Sequence, residues 1–218
     1  MKILFCNIAW MKFYRGTCDG DIPIHGGSYV EENSDANEST NFLPIIFENH
    51  DYLSSNEKFF LGSFETKCSK VGKQNQLHIE KIQGCESLTN EDFVDDVLVV
   101  WCATSLTNCS KIVGWYKNAI VYRNYQIIEL ENEENSTYEH SFNVVANIND
   151  CVLLPEAERN KNKWAAARAQ KKGRNYGFGR ANVWYATEES AKEYIENVVK
   201  TIKSYEEENC IKGSYSNI

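Results

Sequence analysis

A chain of 218 residues and 25.0 kDa, 42% hydrophobic and 25% charged, has the composition of an ordinary globular protein with room for one sizeable core. No stretch approaches the run of about eighteen apolar residues that a membrane helix needs, so no membrane partner is expected. The formal charge of −8 argues against wholesale attraction to nucleic acid, but it is unevenly spread.

In chain order, residues 2 to 10 (KILFCNIAW) read as an opening strand. The amino-terminal MKILFCNIAWMKFYRG continues into Lys12 and Arg15 without a small-residue cleavage site, so it reads as part of the mature fold and the cytoplasm as its setting. From Arg15 to Asn41 the chain is irregular. It carries Gly26-Gly27-Ser28-Tyr29, where paired glycines let backbone N–H groups approach a ligand, and then the polar EENSDANESTN. FLPIIF, KFFLGSF and LHIEKI, between Phe42 and Gln83, suit further strands.

Val97 to Thr104 and Ile112 to Arg123 read as a strand pair around a polar loop with Asn108 and Ser110. Gly114 inside the second run calls for a bulge or a close neighbour. Beside it, Trp115 and Tyr116 suit either a packed core or the wall of a pocket for a flat ligand. Strands follow at Tyr125 to Leu130 and Tyr138 to Ala146, and CVLLP comes after Asp150. Asn160 to Lys172, rich in alanine and basic residues, predicts a short helix stopped by Gly173. NVWYA is strand-like, and the apolar spacing from Glu188 to Tyr205 predicts a helix capped by Thr187 that packs on the sheet. The polar tail, 206–218, is expected to fray. The pattern is a single α+β domain over residues 1–205: a curved β-barrel or strongly bent mixed sheet flanked by helices, with a long C-terminal helix.

The eight cysteines show no CxxC pair and no neighbouring histidine at ligand spacing, which argues against a zinc site and for reduced thiols. No histidine has a motif partner, and Cys6 on a buried strand is inert by default, so no catalytic constellation and no cofactor are expected. Arg159 to Arg180 holds eight basic residues and no acid (Arg159, Lys161, Lys163, Arg168, Lys171, Lys172, Arg174, Arg180). Fifteen positive and thirty-one negative charges remain elsewhere. An acidic body with one basic segment is how an anion-binding face is made. Five tryptophans and twelve tyrosines supply flat faces for stacking a base, and Asn7, Asn118 and Asn182 offer paired donors and acceptors for its edge.

The succession ILFCNIAWMKFY, GGSYVEEN, VLVVWCAT with IVGWYKNAIVYR, FNVVANINDCVLLPEAER and YGFGRANVWYA resembles the amino-terminal module of prokaryotic proteins joined to HNH or other restriction nucleases. In strand pattern it is similar to the PUA-like superfamily, which includes the EVE, YTH, ASCH and SRA domains. The resemblance covers roughly Met1 to Tyr205, and no nuclease motif follows, so this chain either lacks that part or works with a separate nuclease partner. It implies a non-catalytic reader of a methylated or otherwise altered base in a restriction or defence system, with DNA favoured over RNA. Trp10, Trp101, Trp115 and Trp184 would form the cage, Ser28 and Asn182 would read the base, and Lys161, Lys163, Arg168, Lys171, Lys172, Arg174 and Arg180 would hold phosphates. The residues alone leave two other readings open: an enzyme acting on a nucleotide or small molecule, and a protein-interaction module with a basic face.

Overall fold

Alternate residues of the opening strand face opposite sides of a sheet, yet Ile3, Leu4, Phe5 and Cys6 are all buried, so this strand must be covered on both faces. A computed structural model of the chain, which describes residues 1–25, 36–46, 57–66, 76–131, 136–169 and 173–211, shows how. Strand β1 (Ile3–Ile8) runs parallel to β4 (Phe93–Thr104), with Ile3 opposite Leu98 and Ile8 opposite Ala103. The 22-residue β5 (Ser110–Glu131) pairs antiparallel with β4 on one side and with β6 (Thr137–Asn147) and β7 (Cys151–Leu153) on the other. The remaining strands, β2 (Pro44–Ile46), β3 (Lys58–Gly62) and β8 (Val183–Trp184), complete an eight-stranded mixed sheet of order β2-β3-β6-β5-β4-β1-β8, with β7 beside β5.

The architecture is α+β, but the sheet is not a closed barrel. Its end strands are only three and two residues long and do not pair with each other. Without a hydrogen-bonded seam two edges remain. One face buries Leu4, Cys6, Val99, Trp101 and Tyr116 with Phe42, Phe60 and Phe64. The other buries Ile3, Phe5, Val100 and Trp115 under the C-terminal helix and the segment around Trp164 and Phe178. Each apolar side chain taken from water in this way contributes roughly 1.5–3 kcal/mol.

Helices are few. A single turn, α1 (Glu156–Arg159), follows β7, and α2 (Lys192–Lys203) buries Val198 and Ile202 on the sheet as the spacing predicts. It spans 12 residues, its N-cap position is Ala191, and no side chain caps it. Thr187 therefore has no capping role. Instead the adjacent Glu188 carboxylate accepts from Trp184 Nε1 at 2.8 and 3.1 Å.

Three other expectations fail for local reasons. LHIEKI contains a 3-10 turn at Ile79–Lys81, because Arg123 anchors this region by donating to Glu80 and to the carbonyls of Leu88, Thr89 and Glu91. The described part of Asn160 to Lys172 forms only a 3-10 turn, Asn162–Trp164. After it Ala165 bridges Lys111 and the Ala166 N–H donates to the Ser110 carbonyl, so the edge of β5 outcompetes helix propensity. The polar tail is docked through Ile211: Asn209 Oδ1 accepts from the Leu153 N–H, Asn209 Nδ2 donates to the Cys151 carbonyl, and Ile211 lies in the core.

Gly114 is required by a close neighbour. A Cβ there would lie 2.4 Å from the Val152 carbonyl oxygen and 3.0 Å from the Phe42 ring. Gly114→Ala is expected to lower stability by roughly 1–3 kcal/mol in a urea melt, whereas Gly179→Ala should shift it by less than about 0.5 kcal/mol. Gly179 has nothing within 4 Å of its added carbon.

Candidate anion site at the strand ends

Parallel pairing brings the carboxyl ends of β1 and β4 to one edge, with Asn7 opposite Cys102. The turn between β4 and β5 sets Thr104 opposite Ser110. Over these three polar residues the chain lays Arg168. Its neighbour Ala167 accepts from the Phe178 N–H at 3.0 Å, and Ala169 donates to the Phe178 carbonyl at 3.0 Å. That approach needs glycine at position 177. Its φ is +107°, and a Cβ would meet the Ala167 carbonyl carbon at 2.5 Å.

The Arg168 guanidinium is half-buried. Its Nε donates to Ser110 Oγ at 2.7 Å, and its Nη2 donates to Asn7 Oδ1 at 2.7 Å and Thr104 Oγ1 at 3.2 Å. The ring of Phe178 lies 5.2 Å from its central carbon. All three acceptors are neutral, and among the described residues no carboxylate stands within ion-pair distance of Arg168, Arg174 or Arg180. Burial pulls the Arg168 pKa below its ordinary value. A guanidinium retains its charge even so, and here that charge is uncompensated.

The other members of the basic segment divide sharply. Arg159 is fully buried and structural: it donates to the carbonyls of Leu154, Met11 and Lys12 and lies against the rings of Trp10 and Tyr14. Lys161 and Lys163 both pair with the carboxylates of Glu158 and Glu207. These neutralised lysines are poorly placed as phosphate ligands. Arg174 is half-buried and Arg180 exposed. Lys171, Lys172 and Ser28 lie outside the described residues.

The tryptophans do not converge. Trp101 sits in the first core against Tyr116 and Phe64, and Trp115 in the second, stacked on Trp164 at 5.4 Å. In the β4–β5 register Val100 faces Trp115 and Trp101 faces Gly114, so the two indoles point to opposite sides of the sheet. Trp10 belongs to the first core, over Arg159, while Trp184 packs on Phe5 at 4.7 Å in the second. The four are thus divided between two cores on opposite faces of the sheet and do not form one cage. Asn182 does reach the strand-end cluster, but through its backbone. Its carbonyl accepts from the Asn7 N–H at 2.7 Å, while its side chain donates to Glu65 at 3.3 Å.

Asn7 is one of the three amides singled out in the sequence as able to read a base edge. In the sequence Thr104 and Ser110 mark only a strand end and a turn, and no local signal identifies either as a site residue. Burial raises the Cys6 thiol pKa, with Cys102 adding to the shift, and burial likewise raises that of Cys102, so neither supplies a thiolate. Among the described residues no three His, Cys, Asp or Glu side chains come together as a metal-ligand set. Shallow grooves of about 320–500 Å³ surround Met1 and α2, at the start of β1. Asn7 lies six residues further on, roughly 20 Å at the rise of a strand, so the arginine cluster is remote from them.

Comparison with known proteins adds no neighbour: no family model, no curated protein and no solved structure matches the chain.

The buried Glu158 is the most strongly perturbed acid beside the segment. Burial alone would raise its pKa, but hydrogen bonds from Lys161, Lys163 and Trp164, with the charge of Lys163, outweigh that and lower it from 4.5 to about 2. A carboxylate depressed on folding stabilises the protein above its unfolded pKa, and this contribution is lost as pH falls from 4.5 through about 2. The melting temperature of Glu158→Gln should lie below that of the wild type at about pH 6, with the gap closing towards about pH 2.5. A gap independent of pH would contradict the ion-pair assignment.

Proposed function

We propose that this chain is a non-catalytic module that binds nucleic acid, DNA in preference to RNA, through the arginines at the strand ends. The observation that carries the reading is the uncompensated guanidinium of Arg168, held by neutral acceptors in a protein whose remaining residues are strongly acidic. A charge set into the sheet edge without a carboxylate attracts an anion, while the acidic body repels polyanions elsewhere. Arg174, half-buried, and Arg180, exposed, follow in the same basic segment and would add to the attraction. No carboxylate or imidazole lies within hydrogen-bond reach of Arg168 among the described residues, which favours binding over proton-transfer chemistry.

Recognition of an altered base, and service in a restriction or defence system beside a separate nuclease, come to this reading from the likeness to PUA-like modules. The four tryptophans lend no support to the base cage, since each is packed within a core. Arg174→Glu with Arg180→Glu is expected to weaken duplex DNA binding at least tenfold and to reduce the slope of log affinity against log salt by about two. Lys161→Gln with Lys163→Gln, in contrast, should change affinity less than about twofold, because both lysines are already neutralised. Fluorescence anisotropy with methylated and unmodified duplexes over a salt series measures both effects, and equal losses from the two pairs would move the binding face elsewhere.

A further inference from the structure

The hydrogens left over at the strand ends define the ligand more narrowly than charge does. A guanidinium carries five N–H donors. Among the described residues three of those on Arg168 are spent on Ser110, Asn7 and Thr104, which leaves the two on Nη1. In each of those bonds the partner uses its oxygen as acceptor. The Asn7 amide NH₂ and the hydroxyl hydrogens of Ser110 and Thr104 therefore remain to be donated, and none of them meets another acceptor among the described residues. Three groups around one cation thus present donors, and their strongest acceptor atoms are already taken by Arg168. That chemistry suits a tetrahedral oxyanion. It does not suit a metal ion or an ammonium group, each of which needs acceptors.

We infer that Arg168, Asn7, Thr104 and Ser110 form a receptor for one terminal phosphate group, a phosphomonoester at the end of a nucleic-acid strand. This rests on the nucleic-acid reading above for what carries the phosphate, but not for the oxyanion site itself. Arg168 is fixed by three strand ends and backed by Phe178, so it cannot follow a backbone as a free surface side chain can. The anion must come to it. A monoester has three terminal oxygens and a single ester link, so it enters end-on. An internal phosphodiester has only two free oxygens and would have to bring a sugar on either side up to the half-buried guanidinium. The second ionisation of a monoester, near pH 6, adds a further charge to be neutralised.

The test uses the full chain with four probes: inorganic phosphate, a nucleoside 5′-monophosphate, and one oligonucleotide prepared with either a phosphate or a hydroxyl at its ends. Anisotropy should show the phosphorylated strand bound at least tenfold more tightly than the hydroxyl strand, with the preference growing as pH rises from about 5 to 7. Asn7→Asp preserves the acceptor for Nη2 and supplies the missing counter-ion. It should erase the end preference and the binding of inorganic phosphate without lowering the melting temperature. Ser110→Ala with Thr104→Val should reduce the preference at least fivefold. Equal binding of the two strands, or a preference that survives Asn7→Asp, would overturn the inference while leaving DNA binding intact. Binding of inorganic phosphate and the mononucleotide but of neither strand would keep the oxyanion site and reject the nucleic-acid carrier. Failure of all four probes would reject both.

Discussion

The parallel ladder between β1 and β4 is the constraint on which the molecule depends. It places an apolar strand deep in the sheet, so every residue from Ile3 to Cys6 must be covered, and two separate cores grow on its two faces. Because the two strands run the same way, they also end together. Asn7 and Thr104 arrive at one edge, where open sheets with parallel strands tend to place ligands. Thus the same pairing that excludes water from the interior assembles the polar cluster at its margin.

Two arginines of one basic segment show how a guanidinium can be used in opposite ways. Arg159 is enclosed: three carbonyls accept from it, two aromatic rings flank it, and it ties α1 to the Met11–Lys12 turn. Arg168 has the same number of neutral partners but leaves Nη1 unspent and remains half-buried. The planar fork makes both roles possible, since it binds several acceptors at fixed angles while keeping its charge. Lys161 and Lys163 play a third part, holding Glu158 and Glu207 in an ion-pair network under the segment.

Much of the sheet was legible because its strands are long and β-branched. The β4–β5 pair, the role of Gly114 and the apolar stripe of α2 all follow from residue pattern. What was not legible depended on partners distant in sequence. Alanine-rich residues after Asn160 have helix propensity, but the unpaired edge at Ser110 and Lys111 draws them into extended structure. Whether the sheet closes was decided by end strands too short to advertise themselves. Trp101 and Trp115 lie in one strand pair, and only the β4–β5 register reveals that they face apart. Composition marked the basic segment without distinguishing neutralised from free cations. That difference lies in Glu158 and Glu207 on one side and Asn7, Thr104 and Ser110 on the other.

The central claim is that the protein has a built anion receptor at the carboxyl ends of β1 and β4. Anomalous diffraction from crystals soaked in selenate, a heavy tetrahedral oxyanion, tests it most directly. The account predicts a peak within hydrogen-bond distance of Arg168 Nη1 and of the Asn7 amide. Peaks only along the lysines of α2, or no peak beside Arg168 at saturating selenate, would contradict it.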